Sequence, residues 1–479
     1  MHAFDPTLTD TIVRHLVDRL SLDPAPLGRI GAAAELEVQL KGAIGARGAD
    51  PADVLRRYTE AVEPTVVSCD SPRFLAFIPG APTKAAALFD MVVSAASLHG
   101  VSWLEASGAI AAENQVLRLL ADLAGLPAEA GGCFVSGGSA GNLSALVVAR
   151  DTARRRLGLD RRAPLRIAVS DQTHSSVANT LSIIGVDPLV VPTEDHRLTG
   201  RALAAALAEA ERTAAADGRV IGVVATAGTT NAGIIDDLAG IADQATAHGL
   251  WLHVDAAYGG AGLFAPEIRA AMTGIERADS VVIDPHKWLF APFDCGALLY
   301  RDPRLARAVH TQDASYLDAI HGDGAEDHDE WNPSDYAYHL TRRPRGLPLW
   351  FSLAVHGTDA YRAAVEHGLR IARFTAELVR RTEGLELVRE PELSVVVLRR
   401  VGWSGDDYRA WCDDLMQRQI AFVAPTVWEG ETVARLAYVH PDITEQMVEE
   451  IIATLVAPAP APALAPAAVS AAAAAEGRA

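Results

Sequence analysis

Between residues 165 and 301 short runs of branched and apolar residues recur at helix-length intervals. They are LRIAVS (165–170), PLVVPT (188–193), RVIGVVAT (219–226), LWLHVD (250–255), DSVVID (279–284) and GALLYR (296–301), separated by Ala- and Leu-rich stretches. Strands that are apolar throughout are those covered on both faces, and helix-length connections join strands that run the same way. The rhythm therefore predicts an α/β fold, with a large domain built on a mainly parallel sheet flanked by helices. Beyond Leu347 the texture changes to a long helical stretch (347–381). Strand-like SVVVLRR (394–400), a helix near 405–419, AFVAP (421–425), VARLAYV (433–439) and a last helix to about 456 follow. These predict a smaller C-terminal α+β domain.

The expected division is an N-terminal helical segment over 1–65, a large domain over 66–345, a small domain over 346–456 and an unstructured tail over 457–479. Asp50 followed by Pro51 marks a helix start in the first part. The tail is Ala- and Pro-rich, uncharged from Ala457 to Ala475 and broken by four prolines, which suits neither a packed element nor a membrane anchor.

Charge narrows the partners. With 42 Lys plus Arg against 61 Asp plus Glu the net charge is −19, which repels phosphate backbones, so no nucleic-acid partner is expected. The N-terminus carries Asp5 and Asp10 where a secretory leader needs a basic start, and no apolar run reaches membrane length. Cys69, Cys133, Cys295 and Cys412 are far apart and form no C-x-x-C pair, so neither a metal nor a disulfide framework is expected. A reducing, cytoplasmic setting with no membrane partner suits this composition.

The chemistry gathers at strand ends. Lys287, in DSVVIDPHKWLFAPFDCG (279–296), follows a strand and sits between His286 and Trp288. Ligand sites of open α/β sheets form at such ends, and a lysine partly stripped of water there is the kind that forms a Schiff base. Asp255 closes WLHVD and is followed by small Ala256 and Ala257, leaving room for a flat cationic ring beside a carboxylate. FVSGGSAGNLSALVVAR (134–150) reads as strand, glycine turn and helix, whose free N–H groups attract a phosphate. His174 in SDQTHSSVANT and Thr226, Thr229 and Thr230 in ATAGTT follow two further strands, with Asp236 beyond. Each feature alone also has an ordinary use, as surface lysine, helix cap, turn former or structural histidine. Ser139, Asp255 and His286 even occur in the order of a Ser-His-Asp hydrolase triad, with G-x-S-x-G around Ser139, but that reading leaves Lys287 without a role.

Taken in order, GGSAGN, DQTHSS, ATAGTT, HVDAAYGG and DPHKW closely resemble the pyridoxal-phosphate-dependent amino acid decarboxylases of the aromatic-amino-acid and glutamate decarboxylase family. The resemblance extends over roughly 50–456, and TRRPRGLPLWFSL (341–353) resembles that family's passage to its smaller domain. It implies fold type I of the pyridoxal-phosphate enzymes, an amino acid substrate and a homodimer. Lys287 would bond pyridoxal phosphate, Asp255 would face the ring nitrogen and His174 would stack on the ring. Gly138, Ser139 and His286 would meet the phosphate, with Asp284 where the family has Asn or Asp, and Thr230 and Ala257 near the ring.

The resemblance also implies that Phe77, Ile78 and Pro79 face the substrate side chain, while His99 and Val101 reach in from a second subunit. Gly80 and His99 depart from the aromatic-specific pattern. In the acidic loop 321–339, Trp331, Asn332 or Pro333 falls where the family places a tyrosine that protonates the substrate carbon after CO₂ leaves. Tyr336, Tyr338 and His174 are the alternative acids. The expected reaction is decarboxylation of an L-amino acid, aromatic in side chain, to the amine. The alternatives are a non-aromatic substrate, or oxidative decarboxylation-deamination to an aldehyde.

Overall fold

The computed structural model describes residues 2–317, 320 and 330–457. Nearly all of the expected tail and residues 321–329 of the acidic loop therefore lie outside the described residues.

Seven strands form the large sheet: β1 (Gly131–Val135), β2 (Leu165–Ser170), β3 (Asp187–Val191), β4 (Arg219–Thr226), β5 (Trp251–Asp255), β6 (Ser280–Ile283) and β7 (Gly296–Tyr300). Their order is β1-β7-β6-β5-β4-β2-β3. Only β7 runs against its neighbours; the pairs β2–β3, β2–β4, β4–β5 and β5–β6 are parallel. The central strands β4, β5 and β6 are buried on both faces, as their composition requires, whereas the edge strand β3 leaves Val190 exposed because, among the described residues, nothing pairs beyond it. Val223 and Ala225 of β4 pack with Ile241 and Leu252, whereas Val224 joins Leu146 and Val177 on the other side.

Close approach of the helix Gly138–Leu157 to the sheet depends on Gly141, where a Cβ would lie 2.4 Å from Val282 Cγ2. This packing sets the helix N-terminus directly over the carboxyl ends of the central strands.

The second sheet is antiparallel, in the order β10-β11-β9-β8: β8 (Leu385–Leu387), β9 (Val395–Arg400), β10 (Thr426–Trp428) and β11 (Glu431–Ala437). Tyr408, Trp411, Leu398, Leu436 and Ile451 form its core with the helices Gly405–Gln417 and Glu445–Val456. The long helix Leu347–Arg381 forms as expected, kinked at Gly357, whose φ of 75° no helix interior adopts.

AFVAP is not a strand of this sheet. Phe422 exchanges backbone hydrogen bonds with Arg73 and Leu75, both 2.9 Å, in an isolated bridge to Phe74. Pro425 has no N–H to continue the ladder, and β10 starts only after it. Near the N-terminus, Asp50 caps the helix Pro51–Arg57 by accepting from the Ala52 N–H at 2.9 Å.

Candidate active site

A cavity of about 360 Å³ opens at the carboxyl ends of the parallel strands. It is lined by Gly138, Ser139, His174, Thr230, Asp255, Ala257, Asp284, His286 and Lys287, so every residue expected to hold the cofactor meets there. A larger cavity of about 600 Å³, between residues 20–25, 81–85 and the long helix, holds none of them.

Lys287 Nζ stands 3.0 Å from Asp284 Oδ2, the lysine partly exposed and the carboxylate buried. His286 Nε2 is 3.6 Å from the same oxygen. Its Nδ1 accepts the Cys295 backbone N–H at 2.9 Å, so the ring proton sits on Nε2, and burial pushes the imidazole's pKa down. Gly80 is fixed by this turn: a Cβ there would fall 1.6 Å from the Lys287 carbonyl oxygen.

Asp255 is buried with both oxygens against donors. Oδ2 accepts from Asn142 Nδ2 at 2.9 Å and Oδ1 from the Ala257 N–H at 3.1 Å. His174 caps the helix Ser175–Ile184, its Nδ1 accepting the Ser176 N–H at 3.2 Å, which leaves its proton on Nε2. The helix Gly138–Leu157 has no side-chain cap and no acidic residue in its first turn, so its leading N–H groups are free for an anion.

These features fit pyridoxal phosphate. The helix start offers a phosphate cradle in which a Cβ on Gly138 would crowd Asp284 Oδ2 to 3.0 Å. Thr226, which lines the same cavity, has a buried hydroxyl oxygen with no hydrogen-bond partner. The hydrolase reading fails here, because the Asp255 oxygens are taken by Asn142 and Ala257 while His286 Nδ1 is taken by Cys295. No His–Asp bond of a triad exists between them.

The residues expected to face the substrate, Phe77, Pro79 and His99, are not among those that line this cavity. Phe77 is exposed, tilted against Phe422 with ring centroids 6.1 Å apart. Its carbonyl shares the Arg435 guanidinium with the carbonyl of Thr230, at 3.1 and 2.6 Å, which holds the 77–80 segment at the cavity rim. Pro79, one residue before Gly80, sits on that same rim segment. His99 is exposed and hydrogen-bonded to Glu105 at 2.6 Å.

Of the alternative acids only His174 lines the cavity. Tyr336 is buried elsewhere, stacked on Trp331 at 4.2 Å, and burial pushes its hydroxyl pKa up. Tyr338 is exposed, its backbone N–H on Ser144 Oγ. Trp331 donates to the Gly132 carbonyl, Asn332 accepts the Trp103 N–H and Pro333 is buried in a short turn.

Sequence reasoning did not single out Asn142, Ser176, Gln172 or Tyr258, all of which line the cavity. Ser176, two residues after His174, and Asn142, one turn after Gly138, were within reach of the motifs; their contacts were not.

Residues 36–401 match the family model described as pyridoxal-dependent decarboxylase conserved domain. The chain is similar to the aromatic-L-amino-acid decarboxylase of Bacillus atrophaeus, 30% identical with 86% of this chain and 87% of that protein covered. It is also similar to the L-2,4-diaminobutyrate decarboxylase of Rhizobium meliloti (strain 1021), 35% identical over 75% of this chain and 72% of the relative. Among solved structures, Oryza sativa TDC with PLP and tryptamine superposes with a TM-score of 0.86 at 27% identity, covering 95% of this chain and 99% of the other. With its lysine, carboxylates and phosphate cradle gathered at the strand ends, this chain belongs to the pyridoxal-dependent decarboxylase family.

Proposed function

We propose that this enzyme removes the carboxylate of an L-amino acid with an aromatic side chain, releasing the amine and CO₂, with pyridoxal phosphate bonded through Lys287. The observation that carries the assignment is the convergence of Lys287, Asp284, Asp255 and a free helix N-terminus on one 360 Å³ cavity. Bound there, the cofactor supplies an electron sink for the pair left when CO₂ departs.

The chain's own residues do the rest. Asp284 faces the Lys287 amine and keeps it aimed into the cavity. The N–H groups of Gly138 and Ser139, with His286, would hold the phosphate. Asp255 meets the ring nitrogen and keeps its proton in place, because a buried carboxylate favours a cation beside it. His174 carries a proton on Nε2 at the cavity wall, where it can reach the substrate carbon. Tyr258, stacked at 5.6 Å on Trp288, adds a buried aromatic wall to the same cavity.

Phe77 at the rim gives an aromatic side chain an apolar surface, and we place Pro79 beside it and His99 in the site of a second copy. The helix Pro6–Leu20 supports such a homodimer: it buries none of its residues and exposes Leu8, Ile12, Val13 and Val17. Four free thiols support a reducing, cytoplasmic setting, and no helix among the described residues is long and apolar enough to cross a membrane.

The test is incubation of the purified holoenzyme with each common amino acid, DOPA and 5-hydroxytryptophan, followed by assay of amine, aldehyde and peroxide. Amine from an aromatic amino acid supports the assignment. Amine from a non-aromatic substrate alone overturns the side-chain reading, and stoichiometric aldehyde and peroxide overturn plain decarboxylation.

A further inference from the structure

Behind Asp255 lies a buried run of polar side chains that the proposed chemistry does not use. Trp251 Nε1 donates to Ser280 Oγ at 2.9 Å, Ser280 Oγ lies 2.8 Å from His253 Nδ1, and His253 Nε2 lies 2.8 Å from Asn142 Oδ1. Asn142 Nδ2 then reaches Asp255 Oδ2 at 2.9 Å and Ser176 Oγ at 3.2 Å, and Ser176 Oγ is 2.9 Å from His174 Nδ1. His253 and Ser280 are wholly buried, Asn142 almost so.

Only one direction of hydrogen bonding satisfies this run. An indole N–H can only donate, so the Ser280 oxygen accepts from Trp251, which leaves its hydroxyl hydrogen able to turn to His253 Nδ1 once the carboxylate end has put the imidazole proton on Nε2. The imidazole proton is then on Nε2 and faces the Asn142 carbonyl, which turns the amide's two N–H groups toward Asp255 and Ser176. The opposite end demands the same answer, since a carboxylate only accepts. Burial holds His253 neutral, its pKa lowered to about 4, as a ring donating from one nitrogen and accepting at the other must be.

We propose that Asn142 is a positioning residue for this reaction, its amide locked by the Trp251–Ser280–His253 run so that one side chain presents Asp255 as an acceptor and His174 with its proton on Nε2. The inference rests on the cavity being the pyridoxal-phosphate site. Both hydrogen-bonded neighbours of Asp255 are donors, one on each oxygen, which fixes the carboxylate's orientation at the cavity wall where the ring nitrogen would lie. The Ser176 hydroxyl, fed by the amide's second N–H, donates to His174 Nδ1 and fixes that ring's tautomer.

A double-mutant cycle on the holoenzyme tests it, reading kcat, KM, the visible absorption band of the bound cofactor and the rate at which cofactor is lost on dialysis. Trp251→Phe keeps the ring and removes only the obligate donor. The expected result is a fall in kcat of roughly threefold to tenfold with KM nearly unchanged, together with a shifted absorption band and faster cofactor loss. Asn142→Leu is expected to lower kcat further, and in that background Trp251→Phe is expected to have no added effect, since the run no longer reaches Asp255.

His253→Gln, which can still accept from Ser280 and donate to Asn142, is expected to keep kcat within about threefold of the unmodified enzyme, whereas His253→Leu reproduces the Trp251→Phe signature. Multiplicative losses in the Trp251/Asn142 double variant, or His253→Gln and His253→Leu behaving alike, overturn the proposal. If Asn142→Leu does not fold, the Trp251 and His253 variants decide alone. Failure of the site assignment is read separately, as an unmodified enzyme with no cofactor on Lys287.

Discussion

The Lys287 Nζ lies 3.0 Å from the Oδ2 of Asp284, three residues earlier on the same strand-end turn, and that carboxylate is 2% exposed. A buried acid beside a lysine that is itself partly open to the cavity fixes where the amine points. Asp284→Asn, which can still hydrogen-bond the amine, is expected to retain cofactor. Asp284→Ala is expected to lose it on the order of tenfold more readily, measured by equilibrium dialysis and absorbance.

At the opposite end of the cavity, Asp255→Asn replaces an acceptor with an amide that cannot hold a ring-nitrogen proton. Cofactor stays attached, but turnover is expected to fall roughly 10²–10³-fold, about 3–4 kcal/mol in the barrier, as for other preorganised electrostatic partners. Near-normal kcat in steady-state assays would remove Asp255 from the proposed role.

These residues were legible because the strands that deliver them are buried on both faces and so are apolar throughout, which makes a single polar residue at the carboxyl end conspicuous. Asp255 after WLHV and Lys287 after SVVIDPH stand out in that way. Asn142 did not, because a polar residue in the first turns of a helix is ordinary, and its partner His253 is 111 residues away. The small domain was read less well for a local reason. AFVAP has strand composition, but Phe422 spends its backbone hydrogen bonds on the 73–75 segment. Phe77, Pro79 and His99 were named from resemblance, and one chain alone leaves them at the rim or outside it.

His174 lines the cavity, whereas Tyr336 is packed against Trp331 away from it. His174→Phe is therefore expected to lower amine formation by at least about tenfold and to raise peroxide, and Tyr336→Phe to change neither. Paired amine and peroxide assays on the two variants distinguish them.

Stability away from the site depends on the buried pair of Arg342 and Glu113. Nη2 and Oε1 are 2.7 Å apart, and the same Oε1 accepts the Gly346 N–H at 2.8 Å. Glu113→Ala leaves a guanidinium buried without its counter-charge, and chemical denaturation is expected to show a loss of about 3–5 kcal/mol.

Acid should destabilise the fold through buried histidines. Burial lowers the pKa of His339 to about 4, from an ordinary value of 6.5, and its Nε2 is buried without a hydrogen-bond partner. The unfolded chain therefore binds the proton more readily. The stability from this group is complete above about pH 6.5 and is lost as pH falls toward 4, at up to about 1.4 kcal/mol per pH unit for one proton. His253 adds a loss in the same window. In denaturant midpoints followed against pH, His339→Leu is expected to flatten that acid decline.

The site assignment as a whole is tested most directly by reducing the holoenzyme with borohydride and mapping the labelled peptide by mass spectrometry. The expected result is one phosphopyridoxyl group per chain, on Lys287 in the peptide surrounding DPHKW. A label on any other lysine, or no label on an enzyme that still releases amine, would contradict it.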